Sequence, residues 1–282
     1  MPDPLSPTQL DAYFARIGYT GTPRADLATL TALHRAHVQA IPFENLDVQL
    51  GQAPGLDPLA AYAKLVERRR GGWCYEQNGL LGLVLTTLGF DVTRMAGAVL
   101  RQVRGDATMG SHLCLKVTLE QDWLVDVGFG AAQLEPLPLA EGTWDHAPIP
   151  ISLTRSEDAH WRLAIQLGAG EMSFDFRDQP ADEARLQQLC DWQGHNGESV
   201  FVQNLVAQRR LNGEHRVLRG RVFTRAGATG TEQRVLADAD ELLAVLAGEF
   251  GIEEPAIADL WPAICARHAT LFGAATTPNP LL

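Results

Sequence analysis

The sequence predicts an α/β protein of the α+β kind, in which helices, antiparallel strands and a second mixed unit follow one another along the chain. Three observations predict it. Over the first ninety residues apolar positions recur at helical spacing; from about Asp91 to Ile165 they alternate with a period of two; beyond Gln179 a helical stretch leads through Gly194 and Gly197 into strands and one more helix. At 282 residues, 46% apolar and 20% charged, the chain can bury two or three packed units, which sets aside disordered and fibrous classes. It contains no internal repeat and no low-complexity tract.

Taken in order, helices are expected over Thr8 to Ile17 and over Asp26 to Ala40, the second with Leu27, Leu30, Leu33 and Val38 on its apolar side. Pro42 lacks an amide hydrogen and pushes Ile41 toward extended geometry, so this helix stops before Ile41-Pro42-Phe43-Glu44-Asn45-Leu46. A third helix fits Asp57 to Glu67. A fourth fits Cys74 to Leu88, with Leu80, Leu81, Val84, Leu85 and Leu88 buried and Gly89 as its stop. In Ser111 to Leu119 the residues Leu113, Leu115, Val117 and Leu119 alternate with His112, Cys114, Lys116 and Thr118, the mark of a strand in an antiparallel sheet or barrel. Later elements are a helix around Gln179 to Trp192, strands over Val200 to Ala207 and Arg216 to Thr224, and a helix near Asp238 to Glu249.

No window approaches the roughly 20 uninterrupted apolar residues of a membrane helix, and the polar start from Met1 to Gln9 has no basic stretch followed by an apolar run. The chain therefore reads as cytoplasmic. A formal charge of −11 argues against broad binding to nucleic acid or an anionic membrane face. The four cysteines, Cys74, Cys114, Cys190 and Cys265, are scattered without a CxxC pair, so neither a disulfide framework nor a zinc knuckle is indicated.

The most informative stretch is Arg70-Gly71-Gly72-Trp73-Cys74-Tyr75-Glu76-Gln77-Asn78. It places a thiol in the first turn of a helix directly after a double glycine. Unpaired backbone N–H groups and the positive end of the helix dipole favour a thiolate there, and glycines leave room for a substrate. Cys114, Cys190 and Cys265 lie in apolar patterns with no glycine loop and read as buried thiols.

A thiol nucleophile needs a base, and the base needs a group to orient it. His112, on the polar side of its strand, and Asp126, in the apolar run Trp123-Leu124-Val125-Asp126-Val127 where an unpaired charge is costly, are the candidates. A hairpin with an odd-numbered turn within Leu119 to Asp122 points both to one face. A turn centred on Leu119 sets them opposite each other; one centred on Gln121 sets Asp126 against Lys116 as an ordinary ion pair. Both registers stay open.

At this point the residues meet a known pattern. The chain resembles the arylamine N-acetyltransferases over nearly its whole length. The match rests on a helical start at Leu10 to Tyr19 with the Pro-Phe-Glu-Asn-Leu loop at Ile41 to Leu46, the Arg-Gly-Gly-x-Cys signature at Arg70 to Asn78, and a Ser111-His112 strand followed by Asp-Val-Gly-Phe-Gly at Asp126 to Gly130.

The resemblance implies a helical bundle over 1–90 carrying the nucleophile, a β-barrel over 91–178 carrying His112 and Asp126, a connector helix over 179–199 and an α/β lid over 200–282, with a papain/transglutaminase-like catalytic core. It further implies Cys74 as the acetyl-accepting nucleophile, His112 as its proton partner and Asp126 as the orienting group. Acetyl-CoA would be the co-substrate, with no metal and no prosthetic group, and a small aromatic amine or hydrazine the acceptor. Ser111, Gly128, Phe129 and Gly130 resemble the family's coenzyme site, and Phe43 and Phe129 its acceptor pocket.

Two enzymatic alternatives stay open. One is an amide synthase of the same family closing a macrolactam; the other is a cysteine hydrolase of the same core fold, since a Cys-His-Asp set can also pass an acyl group to water. A catalytically dead binding module is the third alternative. Glu44 and Arg70 are expected to pair beneath the Cys74 loop, Asn78 to be architectural, and His146, Glu157 and Asp158 to lie in surface loops.

Overall fold

A computed structural model of the chain describes residues 3–167 and 170–272. The last ten positions of the expected 200–282 unit lie outside the described residues.

The helical region begins with α1 (Pro7–Ile17). Ser6 caps it, accepting from the Gln9 amide at 3.3 Å while the Gln9 side chain accepts from the Ser6 amide at 2.9 Å. Helix α2 (Leu27–Ala40) is capped by Asp26 and ends where Pro42 forbids another turn. Then come the two-residue strand β1 (Phe43–Glu44), the single turn α3 (Leu46–Gln49), and α4 (Pro58–Tyr62), which widens into a π-helical turn over Ala63–Glu67. Helix α5 (Cys74–Thr87) is buried at every residue from Cys74 to Leu85, which places it at the centre, between the other helices and the main sheet. Gly82 faces Leu115 of the sheet, where a Cβ would meet the Leu115 side chain at 3.4 Å.

The main sheet consists of β2 (Asp91–Val99), β3 (Met109–Thr118), β4 (Asp122–Val125), β5 (Leu137–Pro138), β6 (Gly142–His146), β7 (Ile149–Arg155), β8 (Trp161–Leu167) and β9 (Gly170–Phe176), with the short α6 (Arg101–Arg104) between β2 and β3. Its order is β5-β4-β3-β2-β9-β8-β7-β6, antiparallel throughout. Leu137 from one edge and Ile149 and Ile151 from near the other share one core with Met95, Leu163 and Phe174. The sheet is therefore curled, and the expected barrel takes the form of an open half-barrel.

Strand β3 pairs with β4 as Leu115↔Val125 and Thr118↔Asp122, so the hairpin centres on Glu120. This is neither of the two registers considered from sequence. It brings Asp126 level with Cys114, two residues along the same face from His112, and the two side chains meet diagonally. Lys116 does not pair with Asp126; it turns outward to Asp178 and, at 3.4 Å, to Asp122.

Helix α7 (Glu183–His195), capped by Asp182, packs across β3. The strand expected over Val200 to Ala207 is instead the short helix α8 (Val200–Gln203), because the Ser199 hydroxyl caps it at the Phe201 amide, followed by β10 (Val206–Leu211). Likewise the strand expected over Arg216 to Thr224 is a hairpin of β11 (Glu214–Arg219) and β12 (Val222–Gly227), turned at Gly220 with φ 53°. With β13 (Gly230–Val235) these form a five-stranded sheet of order β1-β10-β11-β12-β13, so Phe43 and Glu44 pair with Gln208 and Ala207, far along the chain. Its other face is covered by α9 (Ala239–Val245), a π-helical turn Leu246–Phe250, and α10 (Trp261–Phe272), around Leu46, Leu218, Phe223, Phe250 and Ile257.

Cys114 and Cys190 are buried as expected, whereas Cys265 is half-buried. Glu157 and Asp158 are exposed, but His146 is buried at the end of β6 rather than in a surface loop, since Arg210 and the 134 amide both reach it. Among the described residues no helix is long and apolar enough to cross a membrane.

Leu115 is fully buried where the sheet meets α5. Leu115→Ala is expected to cost about 2–5 kcal/mol, read as a lower urea midpoint at an unchanged m-value.

Candidate active site

The loop that presents Cys74 is built by close approaches that only glycine permits. A Cβ on Gly71 would lie 2.3 Å from the Pro42 carbonyl, and one on Gly72 would lie 2.6 Å from the Glu76 carboxylate. The loop is stapled to the Phe43 segment by Gly72 N–H to Pro42 O at 3.2 Å and Glu44 N–H to Gly72 O at 3.1 Å. Beneath it, the Gln77 amide donates to Pro42 O at 2.9 Å and Gly72 O at 3.2 Å. Its oxygen faces His37 Nε2 at 2.7 Å, and His37 Nδ1 faces the Tyr13 hydroxyl at 2.8 Å. Burial pushes the His37 imidazole down to about 3, so the ring is neutral and this row from α1 to α5 is uncharged at neutral pH.

A buried ionic cluster supports the same loop. Arg70 meets Glu44 at 3.1 Å, Asp47 at 3.0 Å and Glu254 at 2.6 Å. The expected Glu44–Arg70 pair is therefore present, and Lys64, which the sequence did not single out, completes it at 2.9 Å from Asp47 and 3.0 Å from Glu76. Burial works against the Lys64 ammonium, but Glu44, Glu76 and Asp47 together raise it above its ordinary value. Burial pushes the Glu76 carboxyl up to about 7 against the pull of Lys64. Glu76 also accepts from the Trp73 amide at 3.2 Å, which fixes the start of α5.

Across from this loop, His112 Nε2 lies 2.7 Å from Asp126 Oδ2. The other Asp126 oxygen accepts from Asn78 Nδ2 at 2.8 Å and from the Gly128 amide at 2.8 Å. Asn78 Nδ2 further donates to Leu113 O at 2.6 Å, and Asn78 Oδ1 accepts from the Val127 amide at 2.9 Å. Asn78 is thus the clasp between α5, β3 and the segment after β4. Cys74 is the second group that acts on this imidazole. Burial alone would depress this imidazole, yet the Asp126 carboxylate and Cys74 lift it to about 10.

Gly128 presses on the nucleophile candidate itself, since a Cβ there would lie 2.6 Å from Cys74 Cα. Phe129 stands edge-on to His112 with ring centroids 5.2 Å apart, and Phe174, which the sequence reading missed, lies at 4.5 Å. Phe43 is buried in the same apolar cluster as Cys74, Trp73 and Leu113, and its ring meets Phe201 at 6.1 Å. Ser111 is half-buried beside His112, but its hydroxyl accepts from the Val99 amide at 3.0 Å. Gln193 of α7 ties that stretch down, donating to Ser111 O at 2.9 Å and to the Tyr75 hydroxyl at 2.7 Å. Gly130 begins a left-handed pair with Ala131, at φ 61° and 58°. Among the described residues no His, Cys, Asp or Glu group has the arrangement to hold a metal ion.

A thiol at a helix start, an imidazole that interacts with it, and a carboxylate hydrogen-bonded to that imidazole form an arrangement suited to nucleophilic acyl transfer. The comparisons with known proteins agree with this. The pattern of an N-acetyltransferase family matches residues 26–256. The chain is 37% identical to the arylamine N-acetyltransferase of Mycolicibacterium smegmatis over 86% of its own length and 92% of the relative's. The chain belongs to the arylamine N-acetyltransferase family. It is 35% identical to the Escherichia coli (strain K12) member, with 86% and 88% of the two chains covered. Among solved arylamine N-acetyltransferase structures, that from M. tuberculosis superposes with a TM-score of 0.82 at 35% identity, over 90% of this chain and 99% of that one. That from Mycobacterium marinum in complex with CoA superposes with a TM-score of 0.80 at 33% identity, over 92% and 97%. The protein is accordingly an acyltransferase.

Two outcomes follow for this member of the family. Asn78→Leu strips a charged-group hydrogen bond worth about 1.5–3 kcal/mol from Asp126, and kcat/KM is expected to fall roughly 10- to 100-fold in a steady-state assay. The second concerns pH. The folded His112 value of about 10 exceeds the ordinary imidazole value of about 6.5, so the stability it contributes is whole below the lower value and is lost as pH rises through the upper one. The gap in urea stability between wild type and Asp126→Asn is therefore expected to be wide near pH 6 and to narrow above about pH 10.

Proposed function

We propose that this chain transfers an acetyl group from acetyl-CoA to an arylamine or arylhydrazine by a ping-pong route through Cys74. The observation that carries the reading is the row Cys74–His112–Asp126, with its carboxylate fully hydrogen-bonded at 2.7–2.8 Å by His112, Asn78 and the Gly128 amide. The relative described in complex with CoA supports the choice of donor.

In the first half-reaction the Cys74 thiolate adds to the thioester carbonyl. The tetrahedral oxyanion collapses, the C–S bond to CoA breaks, and CoA leaves as a thiol with the proton that His112 carried. The N–H groups at the start of α5, beginning with that of Cys74, are suited to the oxyanion because the first-turn donors have no partner within the helix. In the second half-reaction the amine nitrogen attacks the acetyl-cysteine thioester, His112 takes the ammonium proton, and the amide departs with Cys74 restored as the thiolate. Asp126 stabilises the imidazolium whenever His112 carries the proton.

Under this reading the 1–90 region supplies the nucleophile, the 91–178 sheet supplies His112 and Asp126, the helix within 179–199 connects, and the segment from 200 onward covers the site. Gly128, Phe129 and Gly130, with Ser111, would hold the coenzyme through their backbone, while Phe43 and Phe129 would face the aromatic acceptor. No metal or prosthetic group takes part. Four unpaired cysteines suit a reducing compartment such as the cytoplasm.

Intact-protein mass spectrometry after brief exposure to acetyl-CoA tests the proposal. Wild type is expected to gain one acetyl group that an aniline or a hydrazide then removes, with Cys74→Ser unlabelled. A label that disappears equally fast without amine would make the enzyme a hydrolase, and an unlabelled wild type would sink the covalent route.

A further inference from the structure

The five-stranded sheet turns one face toward the segment that follows Asp126. Its register pairs Arg210 with His215 and Gln208 with Val217, so Gln208, Arg210 and His215 all project from that face, beside Phe43 opposite Gln208. Arg210 donates to the His146 carbonyl at 2.7 Å and to that of Ala147, which seats the sheet on the half-barrel. His215 Nε2 lies 3.0 Å from the Gly130 carbonyl. The Gln208 amide occupies the space beside Gly130, where a Cβ would come within 2.5 Å of its oxygen.

The held segment is a strained one. Gly130 and Ala131 are both left-handed, at φ 61° and 58°, and Ala131 is a buried residue with a Cβ. Such backbone persists only where its surroundings fix it. A turn closes here with the Ala132 amide donating to Phe129 O at 3.1 Å. On its near side the turn carries Gly128 against Cys74 and Phe129 against His112. Burial, with Arg210 adding to it, pushes the His215 imidazole down to about 3. The ring is therefore neutral at working pH, and facing a carbonyl its Nε2 carries the proton and donates.

We infer that His215, assisted by Gln208, is a positioning residue for the acetyl-CoA half-reaction, holding the Gly130 carbonyl so that the Gly128–Gly130 backbone is set for the thioester. The inference rests on the acetyl-transfer reading above. The C-terminal sheet then tunes the first chemical step without touching the reacting atoms. In the second step the acetyl group is already on Cys74 and CoA has left, so with an acceptor that does not rest on Phe129, such as an aliphatic hydrazide, this step is largely independent of it.

The test compares wild type, His215→Phe, which keeps ring volume but has no donor, and His215→Gln, which keeps an N–H. Three rates are measured: acetyl-enzyme formation at low acetyl-CoA, discharge of acetyl-enzyme by an aliphatic hydrazide, and alkylation of Cys74 by iodoacetamide. His215→Phe is expected to lose about 10- to 100-fold in the first rate while the other two stay within about twofold, and His215→Gln is expected to regain most of the loss. A His215→Phe that is acetylated at the wild-type rate, or that loses all three rates together, overturns the inference. If that variant does not fold, Gln208→Ala decides: a selective loss in the first rate supports the inference, and no change or a uniform loss overturns it. A wild type that acetyl-CoA does not label overturns the acetyl-transfer reading itself, and this inference with it.

Discussion

Everything around the site depends on keeping one buried carboxylate fully paired. Asp126 is 1% exposed, and a carboxylate so enclosed is tolerable only when its lone pairs are met by good donors. His112, Asn78 and the Gly128 amide meet them. Those three donors come from β3, α5 and the segment after β4, so the demand of a single side chain fixes how closely the helix and the sheet approach. Gly128 is the place where that approach would otherwise be blocked.

The second constraint runs below the Cys74 loop. Lys64 and Arg70 are each surrounded by carboxylates in a cluster that has more acids than bases. Breaking such a cluster at one member leaves an uncompensated buried charge, which costs far more than the intact cluster contributes. Arg70 reaches both Glu44, within the N-terminal half, and Glu254, near the far end of the described chain. Strand β1 makes the same long connection through backbone bonds to β10. The loop that presents the thiol is thereby tied to the C-terminal sheet, whose middle strand β11 also reaches Gly130 through His215.

Polar groups with no part in bond making are arranged with equal care. The neutral row Tyr13–His37–Gln77 and the bridge Gln193–Tyr75–Gly110 hold, from two sides, the loop before Cys74 and the strand before His112. Each member is satisfied inside the low-dielectric interior, where a half-satisfied network would be worse than an apolar one. A nucleophile and its base, placed on separate elements, keep their mutual geometry because neither element can shift without breaking such a row.

The sequence by itself determined the local elements whose signals are short-ranged. Helix starts near Asp26 and Asp57, the stop at Pro42, the glycine pair before Cys74 and the alternation through His112 and Cys114 were all readable, because each acts over a few residues. The candidate site was legible for the same reason: a thiol at a helix start and a carboxylate in an apolar run announce unusual chemistry locally. What the tertiary structure alone decided were choices between competing partners. The Glu120-centred register, Lys116 turning to Asp178, burial of His146 beneath Arg210, and the partners of Asn78, Lys64 and His215 all depend on residues tens to hundreds of positions away. No local propensity carries that information, since the free energy that decides it comes from desolvation and packing that exist only once the sheets and helices have met.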